Sequence, residues 1–385
     1  MKISGLEIEF LSLPAPVPIW HASITVADWL KVAFVVRAAG GRLLALWGAP
    51  HETGASVCAA YVTLEGLLWV DLPLASGEKT YPDLVPVFPT ASRMQRAAAD
   101  LSDVHAQGAQ DQRAWLNHGA WPVDFFPLAQ ATTPAKAFAD SPLLDYPFVR
   151  VEGDGVHEIA VGPVHAGVIE PGHFRFSVVG EKVLRLEQRL GYTHKGIEQR
   201  MTQLSPLLAG RLAGRVSGDT TLAYAWAYCM ALESATRCDI PPRASWLRAL
   251  LLERERVANH LADLGALGND AAFAFGLAQF SRLREDWLRL SGEIFGHRLL
   301  MDCAVPGGVA RDIQGAHIDQ MHRQCDAIED ELKTLRTVYE EHAGLQDRFM
   351  TTGRVSPALA AQLGLTGLAG RASAQSWDLR CDHPA

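Results

Sequence analysis

The stretch LLERERVANHLADLGALGNDAAFAFGLAQFSRLREDWLRLSGEIFGHRLLMDCAVPGGVARDI, Leu251–Ile313, decides the fold. With the residues just before it, it sets Leu247, Leu250, Leu251, Val257, Leu261 and Leu264 at helical spacing. That pattern predicts a helix over Ser245–Leu267, entered after Pro241-Pro242. Gly265 and Gly268 read as its stop. Gln279–Leu300 continues the pattern. Asp312–His342 carries Ile313, Met321, Cys325, Ile328, Leu332, Leu335 and Val338 on one stripe, with Gly344 after it. Upstream, Ser205–Ala235 is a further helical candidate. Four helices of this length predict a bundle. Glu253, Arg254, Glu255, Arg256, Asn259 and His260 crowd one helix with polar groups beside its apolar stripe. Buried polar groups must find hydrogen bonds, so this face is either a structural network or a proton path toward a partner.

Outward from the bundle the chain changes character. Short strands are expected around Val149–Val151, Glu158–Val161, His173–Val179 and Val183–Leu190, a small sheet at the start of the helical domain. Nearer the N-terminus, Lys31–Val36 and Arg42–Trp47 are β-rich runs about Gly40-Gly41, a hairpin signal, and Val57–Leu64 with Gly66–Leu72 is a second pair. The segment Ala129–Pro147 is rich in Ala, Thr and Pro, lacks a period, and reads as a linker. The expected class is α+β: a small α+β domain over 1–128, a linker over 129–148, and a mainly helical bundle domain over 149–385.

A chain of 385 residues with 48% hydrophobic content can bury a large core. Its net charge of −8 argues against a nucleic-acid partner. The six cysteines, at 58, 229, 238, 303, 325 and 381, are too far apart for a zinc or iron–sulfur motif and read as inert thiols in a reducing compartment. MKISGLEIEFLSLPAP has acids and prolines where a secretory signal is apolar. The longest strongly apolar stretch, Thr220–Leu232, falls short of the ~20 residues that span a bilayer.

Three segments carry residues suited to chemistry. GPVHAGVIEPGHFRF (Gly162–Phe176) makes a glycine- and proline-rich excursion that displays His165 and His173. Imidazole there would donate a proton near neutral pH, or serve as a structural hydrogen-bonding group. LGYTHKGIEQRM (Leu190–Met201) places His194, Lys195 and Glu198 at the mouth of a helix. Glu198 would relay protons from a desolvated pocket, or pair with an arginine such as Arg200 or Arg215. RLAGRVSGDTTLAYA (Arg211–Ala225) follows them.

The order of these segments resembles the large subunit of membrane-bound, energy-converting nickel–iron hydrogenases and the quinone-binding subunit of respiratory complex I. In the hydrogenases the arginine-led motif holds nickel with a Cys-x-x-Cys pair. Here Ser217 and Thr220 stand at those places, after Arg215-Val216. A hydroxyl is a hard, weakly acidic donor and does not replace a thiolate toward a soft metal. In complex I the motif reads Arg-x-Asp-Tyr, and its tyrosine helps bind the quinone. The residues at those two places are Ser217 and Gly218, a degenerate nickel or quinone position, with Asp219 one step later as a candidate acid. The resemblance aligns His173 with the histidine offered to the quinone, His165 with that of the Gly-Pro-x-His element, and Glu198 with the glutamate that passes protons from the metal. RASAQSWDLRCDHPA (Arg371–Ala385) resembles the Ser-Gly-x-x-Trp-Asp-Leu-Arg element, with Ala374 for glycine. An Asp378–Arg380 ion pair lining the cavity floor is expected there. VPGGVARDI (Val305–Ile313) resembles the turn that packs against the cluster-bearing small subunit.

YPDLVPVFPTASRMQRAAADLSDV (Tyr81–Val104) resembles the small hydrophilic subunit of complex I, fused ahead of the large one in hydrogenase-like relatives. Arg93, Arg96 and Asp100 remain of its usually acid-rich helix, which is either solvated or an assembly interface. Relatives continue for on the order of a hundred further residues, so truncation at the C-terminus relative to the family is expected.

What the resemblance implies is an oxidoreductase subunit forming, with an iron–sulfur small subunit, a metal-free cavity for electron and proton transfer. No cofactor is expected in this chain itself: the 4Fe–4S cluster would lie in the partner, quinone is the candidate substrate, and nickel and hydrogenase activity are not expected. NADH, if used, would be oxidised elsewhere in the assembly, because no strand–GxGxxG–helix fingerprint appears. Other cluster-bearing subunits and antiporter-like membrane subunits would complete the complex at the cytoplasmic face of the inner membrane, with coupling to ion translocation. The alternative is a non-catalytic assembly scaffold.

Overall fold

A computed structural model describes residues 5–52, 54–129, 146–164 and 170–383. The chain divides into two compact units: Met1–Leu13, Val17–Gln199 and Val355–Ala385 make one, and Pro14–Pro16 with Arg200–Arg354 the other. The fold is mixed α+β, as the alternation of periods predicts.

The first unit opens with β1 (Leu11–Leu13), β2 (Ile19–Ser23), α1 (Val26–Ala38), β3 (Arg42–His51), β4 (Gly54–Thr63) and β5 (Gly66–Pro73). They form a five-stranded sheet in the order β1-β2-β5-β4-β3. The β4–β5 hairpin is the one the sequence predicts. The expected Lys31–Val36 strand is instead part of α1. Trp29, Val32, Ala33 and Val36, the buried residues of that run, repeat at the 3.6-residue period rather than alternating. β2 and β5 run parallel, with α1 between them in the chain, so the β-branched content of α1 does not make it a strand. The buried face of β5 (Leu68, Val70, Leu72) joins Trp29 and Val32 in the core, where Trp29 donates from Nε1 to the Pro82 carbonyl at 3.0 Å.

Next come β6 (Thr80–Pro82), α2 (Ala91–Ser102) and β7 (His105–Gln107), then β8 (Val156–Val161), β9 (His173–Val179), β10 (Lys182–Arg189) and the short α3 (Ile197–Met201). β8, β9 and β10 form an antiparallel sheet in the order β10-β9-β8. Val149–Val151 is not a strand. Most of the expected linker, residues 130–145, lies outside the described residues, as does His165.

The second unit is helical: α4 (Pro206–Ala213), α5 (Thr221–Thr236), α6 (Pro242–Asp270), α7 (Ala274–Phe295), the β11–β12 hairpin (Ala304–Val305, Gly308–Val309), α8 (Gly315–Glu341) and α9 (Ala343–Phe349). The expected Ser205–Ala235 helix is broken into α4 and α5 by the turn Gly214–Thr220. α6 runs through Gly265 and Gly268 instead of stopping there. A Cβ on Gly265 would lie 3.2 Å from the Phe280 Cβ, and one on Gly268 would lie 2.3 Å from the Tyr339 hydroxyl. These glycines allow close packing of α7 and α8 and do not cap the helix. On α8 the buried residues are Met321, Ile328 and Leu335, seven apart, while Cys325 is exposed. Among the described residues no helix is long and apolar enough to cross a membrane.

The chain returns to the first unit with α10 (Pro357–Leu363), α11 (Gly367–Ala372) and α12 (Leu379–Asp382).

Candidate functional site

Arg215, Ser217, Gly218 and Asp219 all lie in the turn between α4 and α5, and three anchors hold that turn. Arg215 grips Asp302 with both terminal nitrogens, the second at 2.8 Å, and gives a further bond of 2.7 Å to the Arg211 carbonyl. The guanidinium holds the Asp302 carboxyl below the usual range. Asn259 of α6 donates to the Asp219 carbonyl at 2.9 Å. Glu255, one turn earlier on α6 and buried, accepts the Leu222 and Ala223 amides at 2.6 and 3.1 Å, at the N-terminus of α5. A carboxylate there satisfies helix amides that have no intrahelical acceptor. Burial pushes the Glu255 carboxyl up, the two amides oppose that, and the charge of Asp219 adds to it.

The Ser217 hydroxyl donates to the Asp219 carboxylate. Gly218 is exposed, and a Cβ there would meet nothing within 4 Å. Thr221 Oγ1 donates to the Gly214 carbonyl at 2.6 Å and closes the turn. Beside it a cavity of about 10 Å³, large enough for one water, is lined by Asp219, Arg254, Glu255, Asn259, Arg284 and Ser291 among others. Arg254 is buried over the Trp287 ring at 4.0 Å and donates to Ser291 Oγ, the Trp287 carbonyl and Gln324 Oε1, each at 3.0 Å. Burial lowers its pKa to about 10, which leaves it charged at neutral pH. The polar face of α6 is thus a bonded network, apart from His260, which is exposed.

A second buried network lies on the same helix. Arg248 meets Glu233 of α5 at 3.0 and 2.6 Å and donates to the Val305 and Gly308 carbonyls, while Glu233 accepts the Gly307 amide at 2.7 Å. This holds the Pro306-Gly307-Gly308 turn. The sequence reading did not single out either residue. A charged pair at 248 and 233, on helices facing each other, leaves no local pattern.

An apolar groove of about 420 Å³, lined by Leu264, Phe280, Leu332, Leu335, Tyr339 and Phe349 among others, contains none of the nominated residues. Among the described residues no three of His, Cys, Asp and Glu converge as metal ligands would.

His173, Glu198, Asp378 and Arg380 lie in the first unit. His173 begins β9, with Nδ1 2.9 Å from the Gly162 carbonyl and Nε2 accepting from Arg175 Nε at 3.4 Å. The ring lies 5.2 Å from that of Phe148. Arg175 also reaches Glu158 at 2.9 Å. Glu198, on α3, is exposed and 3.9 Å from His194. Asp378 caps α12 through the Arg380 amide at 3.1 Å. The expected pair with Arg380 is present at 3.5 Å, and Arg371 comes closer, at 3.1 Å. The amide bond, followed by the two arginines, keeps the Asp378 carboxyl low.

Arg96 and Asp100 of α2 are not a solvated face. Arg96 is buried and bonds the carbonyls of Arg113 and Ala114, and Asp100 accepts the amides of residues 115, 116 and 117.

Residues 22–137 match the family described as respiratory-chain NADH dehydrogenase, 30 Kd subunit, and residues 243–385 match its 49 Kd subunit. The chain is a fused member of this complex I and hydrogenase-related subunit family. Formate hydrogenlyase subunit 5 of Escherichia coli (strain K12) is 29% identical, over 92% of this chain and 64% of its own length. Hydrogenase-4 component G of the same strain is 30% identical, over 92% and 60%. An NADH-quinone oxidoreductase subunit of Neisseria meningitidis serogroup A is 26% identical, over 59% and 60%. The chain therefore spans 60 to 64% of the length of these relatives. A solved structure of the membrane-bound sulfane sulfur reductase, an archaeal respiratory membrane complex, contains a chain similar to this one. That match has a TM-score of 0.56 and 25% identity over 59% of this chain and 61% of the other.

Proposed function

We propose that this chain is a peripheral subunit of a membrane-associated, complex I-like oxidoreductase, in which it lines a nickel-free cavity for electron and proton transfer. The observation that carries this reading is the α4–α5 turn. The resemblance to the hydrogenases puts Ser217 and Thr220 where metal-binding thiolates would stand, and the Ser217 hydroxyl is already committed to Asp219. Such a donor set does not fit nickel, which in this kind of site is held by soft thiolates. The turn itself is kept in shape by Arg215–Asp302, Glu255 and Asn259, none of which needs a metal to hold it.

The electrons would come from an iron–sulfur small subunit, with further cluster-bearing and antiporter-like subunits completing the assembly at the cytoplasmic face of the inner membrane. Quinone is the candidate acceptor, and its reduction takes up protons. Both ring nitrogens of His173 are engaged, one at the Gly162 carbonyl and the other by Arg175. Glu198, exposed and 3.9 Å from His194, stands in solvent and not in the desolvated pocket that would raise its proton affinity.

The commitment of His173 and Ser217 to hydrogen bonds also favours a second reading, a non-catalytic scaffold. Quinone reduction by the isolated complex separates the two. Catalysis predicts that His173→Asn or Glu198→Gln lowers turnover about tenfold or more, with Ser217→Ala milder. Unchanged turnover in all three supports the scaffold.

A further inference from the structure

The small cavity beside the α4–α5 turn is bordered by a buried donor that the rest of the protein leaves unsatisfied. Arg284 of α7 lines it, and among the described residues no acceptor meets its buried Nε. The other guanidinium groups at the cavity are committed, Arg254 to Ser291, Trp287 and Gln324, and Arg298 to Glu285. Two carboxyl groups line the same space, from Glu255 of α6, which is buried, and Asp219 of the turn, which is exposed. A buried N–H left unbonded is costly, so a guest that accepts from it is stabilised there. With Glu285 counted, three carboxylates oppose three guanidinium groups, and the site suits a neutral guest. A volume of about 10 Å³ admits nothing larger than water. Water also fits the chemistry. It accepts from Arg284 Nε and has two protons to give, one to each carboxylate, which makes the three or so hydrogen bonds usual for a buried water. A carboxylate has about four lone pairs, so Glu255 takes the water as well as its two amides.

We propose that one water bound in this cavity links Glu255 to Asp219 and passes protons between the buried acid and the exposed turn. Atoms and electrons balance. Asp219 gives its proton to the water, the water gives another to Glu255, and the water is left as it began, with nothing oxidised or reduced. Both acids are held in place, Asp219 through its own carbonyl by Asn259 at 2.9 Å and Glu255 by the Leu222 and Ala223 amides of α5. The charged groups around Glu255 are Asp219 on the turn, Arg254 on its own helix, Arg284 on α7 and Arg298 after it. The link belongs to this chain and works whether or not a quinone is reduced.

The test uses the full chain. Its crystal structure is expected to show one water within hydrogen-bonding reach of Arg284 Nε and the Glu255 and Asp219 carboxyl groups. A pH jump followed by infrared absorption reads the protonation of Glu255, as the carboxyl band that Glu255→Gln removes. Ala258 lies buried at the cavity wall, so Ala258→Val fills the space and leaves both acids in the chain. That variant should lose the water and slow the Glu255 band about tenfold or more. Should it fail to fold, Arg284→Met, which keeps the length of the side chain and drops the donor, is expected to act in the same direction. A wild-type crystal with no water at this place, or a Glu255 rate that the folded variants leave unmoved, would overturn the proposal.

Discussion

Glu255 shows most clearly how one side chain shapes the candidate site. Removing it leaves the buried Leu222 amide and its neighbour without their acceptor, so Glu255→Ala is expected to lower stability by about 1–3 kcal/mol. Urea titration followed by tryptophan fluorescence would measure this, and hydrogen exchange should rise at the start of α5. The pH response has a definite sign. Because its folded pKa is raised, the folded chain keeps a proton that the unfolded chain has already lost. Stability therefore falls as pH rises from the ordinary carboxylate value through the raised one. Glu255→Gln should flatten that part of the curve, and an unaltered slope would rule out Glu255 as its source. The sequence marked residues 253–260 as crowded with polar groups but did not reveal their partners. Several of those partners are backbone atoms far along the chain, and any residue type supplies the same amide or carbonyl.

At the scale of elements, helix packing turns on two glycines that meet one hydroxyl. A Cβ at Gly268 or Gly276 would lie 2.3 or 2.1 Å from the Tyr339 oxygen, which donates to the Leu264 carbonyl. Gly276→Ala is expected to destabilise the helical unit by about 1–3 kcal/mol, with partial recovery when Tyr339→Phe is added, as thermal melting would show. The Arg248–Glu233 pair supports a second prediction. Arg248→Met strands a buried carboxylate and should cost about 3–5 kcal/mol, whereas pairing it with Glu233→Leu should restore much of the loss. Equal melting temperatures for the single and double variants would contradict that.

Element type was legible where periods were long and clean. α6, α7 and α8 appear within a few residues of expectation, as do β9, β10 and the β4–β5 hairpin. The failures have physical causes. α1 is rich in β-branched residues but is shaped by its place beside the sheet, and Gly265 serves helix packing where an end was expected.

The whole molecule joins matches to two subunit families in one chain. The fusion was readable in sequence. The contacts that Arg96 and Arg113 make with Tyr146 and Glu187 were not, because these residues are separated by tens of positions and follow no period.

Elemental analysis of the purified assembly, with iron and nickel determined in one sample, bears most directly on the central claim. The account predicts iron from the cluster-bearing partners and nickel well below one atom per copy of this chain. One nickel per copy, retained on this polypeptide and lost on Ser217→Ala, would contradict it.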